Sequence, residues 1–257
     1  MNIALDKSTS KYSFRFDTRT RFSKKYAENA LKLLNDKSLD ISVIGGCPRI
    51  ISESKNFEAQ LCADIMQRRY LFFYPKHRDI NYSGYSSSIY LGCFITNLLK
   101  EIRFNEKKAL LSEDSLIIND FIEKGFKAYI SSSIEVYYLC RSSFLNILKL
   151  FNTYGYCRAN TIYISKKIFI SKRHLYLFII LLFICFLLLK FSFLSLFLAP
   201  IFLLLFNLIG EFFYKGNLLK IYLPFYATLC QLSWILGFFW QPISIFKNKS
   251  TQSNFIS

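Results

Sequence analysis

From residue 174 to residue 246 the chain carries almost no charge, whereas residues 1–173 interleave charged and apolar positions as a globular domain does. This division constrains the fold more than any other feature, because one stretch suits water and the other does not. The content of 53% hydrophobic and 18% aromatic residues exceeds what a soluble domain needs, and the excess is concentrated after residue 173. Part of the chain is therefore expected in lipid.

Lys190 and Asn207 are the main interruptions of the apolar run from Leu175 to Ile209. At ~1.5 Å per residue a single helix of that length would overshoot a ~30 Å hydrocarbon core, so two spans fit better. They are placed near 174–189 and 192–213, with Lys190 at the turn. A third segment, 221–246, contains Pro224, Gln231, Trp234, Trp240 and Pro242 and suits either a crossing or an interfacial helix, and 247–257 form a polar tail.

The net charge of +16 is compatible with nucleic acid, an anionic membrane surface or phosphorylated substrates. Lys166, Lys167, Lys172 and Arg173 stand just ahead of the first span, where cytoplasmic juxtamembrane charge is expected, so the membrane is favoured and no nucleic-acid partner is expected. Seven cysteines without a C-x-x-C pair, and only His77 and His174, give no zinc spacing, and the cysteines read as reduced packing residues. The N-terminus shows no export signal. Together these features describe a multi-pass cell-membrane protein whose first domain is cytoplasmic.

Within 1–173 the order is that of an α/β protein. Tyr12-Ser13-Phe14-Arg15-Phe16 alternates like a strand and delivers Asp17 to a polar loop. Ser23 precedes a helical pattern through Tyr26, Ala30 and Leu34, and a second strand, Ile41 to Ile44, runs into Gly45-Gly46. A helix is expected over Phe57–Arg69, and no firm structure is assigned from Tyr70 to Arg78. Ser112 caps an amphipathic helix stopped by Gly125. Short strands at Tyr129-Ile130 and Ile134–Leu139 and a helix from Phe144 to Phe151 lead toward the apolar region. In an open α/β sheet ligands bind beyond the carboxyl ends of the strands, which is where Asp17 falls.

Several weak motifs in a consistent order carry a resemblance over most of residues 1–173. The stretch "YSFRFDTRT", Tyr12 to Thr20, looks like the strand of family-2 glycosyltransferases that ends in a metal-binding D-x-D motif. Phe104-Asn105-Glu106, Glu113-Asp114, Gly125 twelve residues after Glu113, and Tyr154-Gly155-Tyr156-Cys157-Arg158 are similar to the acceptor module of the membrane-bound branch that builds exopolysaccharides such as succinoglycan. Three positions depart from the pattern: Arg19 stands for the second acid of D-x-D, Ser115 for the acid after Glu113-Asp114, and Cys157 for an aromatic residue.

The resemblance implies a truncated GT-A (Rossmann-like) glycosyltransferase domain over 1–173, followed by a C-terminal α-helical transmembrane region over 174–246. The chain opens at what looks like the helix before an inner strand, so the nucleotide-binding strands are expected from elsewhere, such as a separate N-terminal polypeptide. The implied activity is inverting transfer of a sugar from a nucleotide-sugar donor to a lipid-linked or glycan acceptor at the inner leaflet. Asp17 would hold Mg²⁺ or Mn²⁺ against the departing diphosphate, and Asp114, with Glu113 beside it, would take the acceptor hydroxyl's proton. Arg78, Tyr154 and Arg158 would bind substrate phosphates.

Each residue also has a plainer role. Asp17 suits a turn, Glu113 and Asp114 suit a helix N-terminus, His77 and Arg78 suit a solvated loop, and Tyr154 and Arg158 suit lipid headgroups. The rival readings are a non-catalytic or split remnant acting only as a membrane partner, and a small basic channel or nucleic-acid-binding membrane protein.

Overall fold

The computed structural model describes residues 1–72, 74–105, 113–165, 195–215 and 222–253. The chain forms two compact units, Met1–Glu53 with Tyr74–Cys140 and Ser54–Phe73 with Arg141–Ser257. Residues 54–73 thus group with the second unit.

In chain order the first unit holds α1 (Asn2–Lys7), β1 (Tyr12–Phe14), β2 (Thr20–Phe22), α2 (Tyr26–Leu34), β3 (Val43–Gly46) and β4 (Pro48–Ile51). After the excursion into the second unit come β5 (Gly84–Tyr85), β6 (Tyr90–Ile95), α4 (Thr96–Ile102), α5 (Glu113–Glu123), β7 (Ala128–Ile130) and β8 (Val136–Leu139). The second unit contains α3 (Phe57–Gln67), α6 (Phe144–Ser165), α7 (Ser195–Lys215) and α8 (Tyr222–Ser253). The α/β class expected from the sequence holds. The expected span at 174–189 and the Ser112 cap lie outside the described residues.

The main sheet has the order β1-β6-β3-β7-β5. Because β6 is antiparallel to both β1 and β3, and β3 is parallel to β7, the strands β1, β3 and β7 all run one way. Each of the three then continues into a second sheet, β2-β8-β4. Val43 and Ile44, successive residues of β3, are both fully buried because they point to opposite covered faces. On one face α1, α4 and α5 bury Leu5, Leu99, Ile118 and Phe121 with Phe94 and Ile130. On the other, α2 buries Tyr26, Ala30 and Leu34 against Ile44, Leu91 and Cys93.

α5 ends as its sequence requires. Gly125 adopts φ 87°, Phe126 N–H donates to Phe121 C=O at 3.0 Å and Gly125 N–H to Ile122 C=O at 3.0 Å, the paired bonds of a Schellman stop. Ser23, by contrast, does not cap α2 through its hydroxyl. Lys25 occupies the cap position without a side-chain bond, and only the Ser23 carbonyl is used, by Tyr26 N–H at 3.0 Å.

In the second unit α7 is reversed relative to a water-facing helix. Asn207 and Glu211 are buried, while Ile201, Phe202, Leu205, Ile209, Phe212 and Phe213 are exposed. Polar side chains inward and apolar ones outward are compatible with an apolar surround. Asn207 donates to Thr228 Oγ1 at 3.0 Å and Gln231 Oε1 at 2.9 Å, tying α7 to α8. Glu211 accepts a bidentate pair from Arg68, at 2.8 and 3.0 Å, and a third bond from Tyr70 at 3.0 Å. These bonds tie the stretch Arg68–Tyr70 to α7, while α3 itself packs against α6 and α8. Within α8, Tyr222–Trp240 is long and apolar enough to cross a membrane by length and composition, and Pro200–Phe213 of α7 is a shorter apolar stretch.

α6 and α8 cross at glycines on both sides. A Cβ on Gly155 would overlap the Trp234 carbonyl oxygen, and one on Gly237 would overlap that of Asn152. Close backbone approach through small residues is the usual means of helix association in lipid. Gly155→Ala is expected to destabilise this unit by about 1–3 kcal/mol through overpacking, read as a lowered melting midpoint of the detergent-solubilised chain followed by circular dichroism. An unchanged midpoint would show that the crossing relaxes freely.

Candidate functional site

Asp17 lies just past the carboxyl end of β1. Its main-chain carbonyl accepts from Thr20 N–H at 3.1 Å, closing a turn over Thr18 and Arg19. The turn is made by the main chain, and the exposed carboxylate instead meets Arg15 Nε at 3.5 Å. Arg19 points along β8: Nε donates to Leu139 C=O at 3.2 Å and Nη2 to Glu53 Oε2 at 3.2 Å and Cys140 C=O at 3.4 Å. Beside it, Arg49 Nη2 pairs with Glu135 Oε1 at 2.9 Å.

Tyr90, at the start of β6, was not singled out by sequence and links the main sheet to β2 and β8 of the second sheet. Its hydroxyl shares a hydrogen bond with Thr20 Oγ1 at 3.1 Å, and its ring meets Tyr138 edge-on with centroids 6.3 Å apart. Burial pushes its pKa up to about 12; the Thr20 hydrogen bond and the Arg78 charge oppose that rise, and the Asp17 carboxylate and Tyr138 reinforce it. Asp17 and Arg78 therefore act on one phenol although 61 positions separate them in sequence. A bulge produces this placement. The register between β3 and β6 shifts between Ile44 and Gly46, where Leu91 takes φ 61° and Gly92 φ 129°, turning Tyr90 toward the second sheet. The one available signal was Gly92 inside an apolar run, a common mark of a bulge.

Glu113 opens α5, and Asp114, half-buried, follows in its first turn. α5 returns to β7 through a short connection and packs against it. Arg78 sits half-buried in a 3₁₀ turn, Lys76–Arg78, where the sequence assigned no structure. Tyr154, exposed, and Arg158, half-buried, belong to α6 of the second unit. The structure thus places Asp17, Arg78, Glu113 and Asp114 in one unit and Tyr154 and Arg158 in the other.

An open cleft of about 710 Å³ runs beside β1, lined by Leu5, Phe14, Arg15, Asp17, Phe94 and Phe104 among others. β1 is an edge strand. Its pairing with β6 uses Lys11 and Arg15 on the inner side, with Thr96 N–H donating to Lys11 C=O and Arg15 N–H to Gly92 C=O, both at 3.0 Å. The alternation leaves the Phe14 N–H and C=O facing outward, with no strand beyond them among the described residues.

The donors near Asp17 do not fit Mg²⁺ or Mn²⁺. Such ions take several hard oxygen ligands, and here one carboxylate, already paired with Arg15, stands where the pattern asks for two acids. Among the described residues no group of three or more His, Cys, Asp or Glu side chains could hold a metal. The cysteines behave as packing residues. Cys47, Cys62, Cys93, Cys140, Cys157 and Cys230 are buried, and burial pushes the Cys93 thiol up to about 12 and the Cys62 thiol up to about 11. No family model and no curated protein matches the chain.

Proposed function

We propose that this chain is the acceptor-side part of an inverting family-2 glycosyltransferase, of the type that builds exopolysaccharides, moving a sugar from a nucleotide-sugar to a lipid-linked or glycan acceptor at the inner leaflet. The observation that carries the reading is the common edge. β1, β3 and β7 run one way; Asp17 follows the end of β1, and at the end of β3 Gly46 pairs with Tyr90 and Cys47 Sγ donates to Asp79 C=O next to Arg78, on the side of an α/β sheet where such sheets bind ligands. Asp114 takes the proton of the attacking acceptor hydroxyl, the new bond forms at the anomeric carbon, and the bond to the departing diphosphate breaks on the opposite face, which inverts configuration.

The membrane part of the reading is supported by the reversed polarity of α7 and by the 19-residue apolar stretch of α8. Both helices cross the bilayer in this proposal, giving a multi-pass protein with the sheet unit in the cytoplasm. Tyr154 and Arg158 then meet the acceptor's lipid-linked phosphate at the interface. The open edge of β1 and the cleft beside it fit an added strand, the position from which a separate nucleotide-binding polypeptide would complete the sheet. The competing reading, a non-catalytic partner, draws its support from Arg19 in the place of an acid.

The test is transfer of radiolabel from a panel of nucleotide-sugars into the lipid and glycan fractions of membranes holding the chain together with any polypeptide encoded beside it. Label dependent on this chain is expected. No transfer from any donor would favour the non-catalytic partner.

A further inference from the structure

The outer edge of β1 is complementary to itself. The chain stays extended beyond the strand's own residues: Thr96 N–H donates to Lys11 C=O and Arg15 N–H to Gly92 C=O. Phe14 and Phe16 stack on one face with ring centroids 5.9 Å apart, and Arg15 meets Asp17 on the other at 3.5 Å. Residues two apart therefore share a face from Lys11 to Asp17. With Lys11, Ser13 and Arg15 turned inward to β6, the main-chain groups of Tyr12, Phe14 and Phe16 face outward. Ser10 Oγ donates to the Tyr12 carbonyl at 3.0 Å, which leaves that oxygen a second lone pair. Phe16 is 57% exposed beside this edge. An open edge with apolar side chains beside it is a template for a further strand.

Laid antiparallel on a second copy about Phe14, the edge sets Phe14 opposite Phe14, Tyr12 opposite Phe16, Ser13 opposite Arg15 and Lys11 opposite Asp17. The outward groups of these three aromatic residues then meet as hydrogen-bonded pairs, the rings share one face, and opposite charges face each other at both ends. A register centred on Ser13 would instead set Lys11 against Arg15, and like charges directly opposite disfavour pairing. Lys11 and Asp17 are both exposed, and their contacts within the chain, Asn35 at 3.4 Å and Arg15 at 3.5 Å, are long.

We propose that two copies of this chain pair through β1 in the register centred on Phe14, joining their five-stranded sheets across a two-fold axis. The pairing covers the edge that the proposed function gives to an added strand, so a second copy and a nucleotide-binding polypeptide exclude each other there. Pairing stands on the edge alone, and only this competition rests on the glycosyl-transfer reading.

Sedimentation equilibrium of the full chain in density-matched detergent reads the protein mass, and a dimer that dissociates on dilution is expected. Asp17→Lys and Lys11→Asp each set like charges opposite at both ends of the pair, and each is expected to raise the dissociation constant roughly 10-fold or more. The double variant, Lys11→Asp with Asp17→Lys, restores opposite charges in the same register and should return to the unmodified value. Circular dichroism checks that all three variants fold, as substitutions at exposed positions should. A chain that is monomeric at every concentration would overturn the proposal, as would one that pairs only with a polypeptide encoded beside it. So would a dimer unmoved by the single variants or not restored by the double, since the copies would then meet elsewhere. Charge-swappable dimers in membranes that transfer no sugar would sink the enzymatic reading and leave the pairing standing.

Discussion

Glu211→Ala is expected to destabilise the helical unit by about 3–5 kcal/mol, the range for breaking a buried pair and leaving its partner charged and desolvated. Arg68 and Glu211 have side chains 3% and 2% exposed, and Asp64 lies farther from the Arg68 guanidinium, at 3.9 Å. Tyr70 would also lose its acceptor. Removing the whole cluster should be much milder: Arg68→Met, Tyr70→Phe and Glu211→Leu together leave no orphaned polar group, and such replacements of buried ionic groups are often neutral or stabilising. The check is the unfolding midpoint of the detergent-solubilised chain for the single and triple variants. A triple variant as damaged as Glu211→Ala would mean that shape, not charge balance, holds the Arg68–Tyr70 stretch on α7.

Asp114→Asn is expected to lower transfer by roughly 10²- to 10⁴-fold in the complemented protein, the usual worth of a general base. The fold should survive, because asparagine is accepted at the start of a helix and the buried face of α5, Ile117, Ile118 and Phe121, is untouched. Single-turnover sugar transfer, with circular dichroism as the control, reads both. Transfer at the original rate would remove Asp114 from the proton step. Asp17→Asn should act differently, weakening donor binding by loosening Arg15 rather than by removing a proton acceptor.

What the sequence showed and what it hid differ between helices and strands. α2 and α5 carry enough helical repeats, and α5 a glycine stop, for their existence to be read directly. Length does not decide the strands: β2, β4 and β5, two to four residues long, were missed, whereas β1 and β7, three residues each, were read. β6 is longer, but the positive φ of Leu91 and Gly92 breaks its alternation, so the strand and the role of Tyr90 were both missed. The tie between Arg68 and Glu211 spans 143 positions, which no local pattern reveals. Among the candidate site residues, Asp17 was legible because a strand end delivers it. Gly155 had been read within a family-like motif, and the structure gives it a packing role between α6 and α8.

The acceptor assignment, the interfacial roles of Tyr154 and Arg158 and the reversed polarity of α7 all require that the chain is seated in lipid. Extraction of membranes with about 1 M salt measures this directly, since such salt screens charges beyond roughly 3 Å but leaves apolar insertion intact. The full-length chain is predicted to stay with the membrane pellet. Its recovery in the salt-washed supernatant would contradict the account and return the basic surface to a purely electrostatic role.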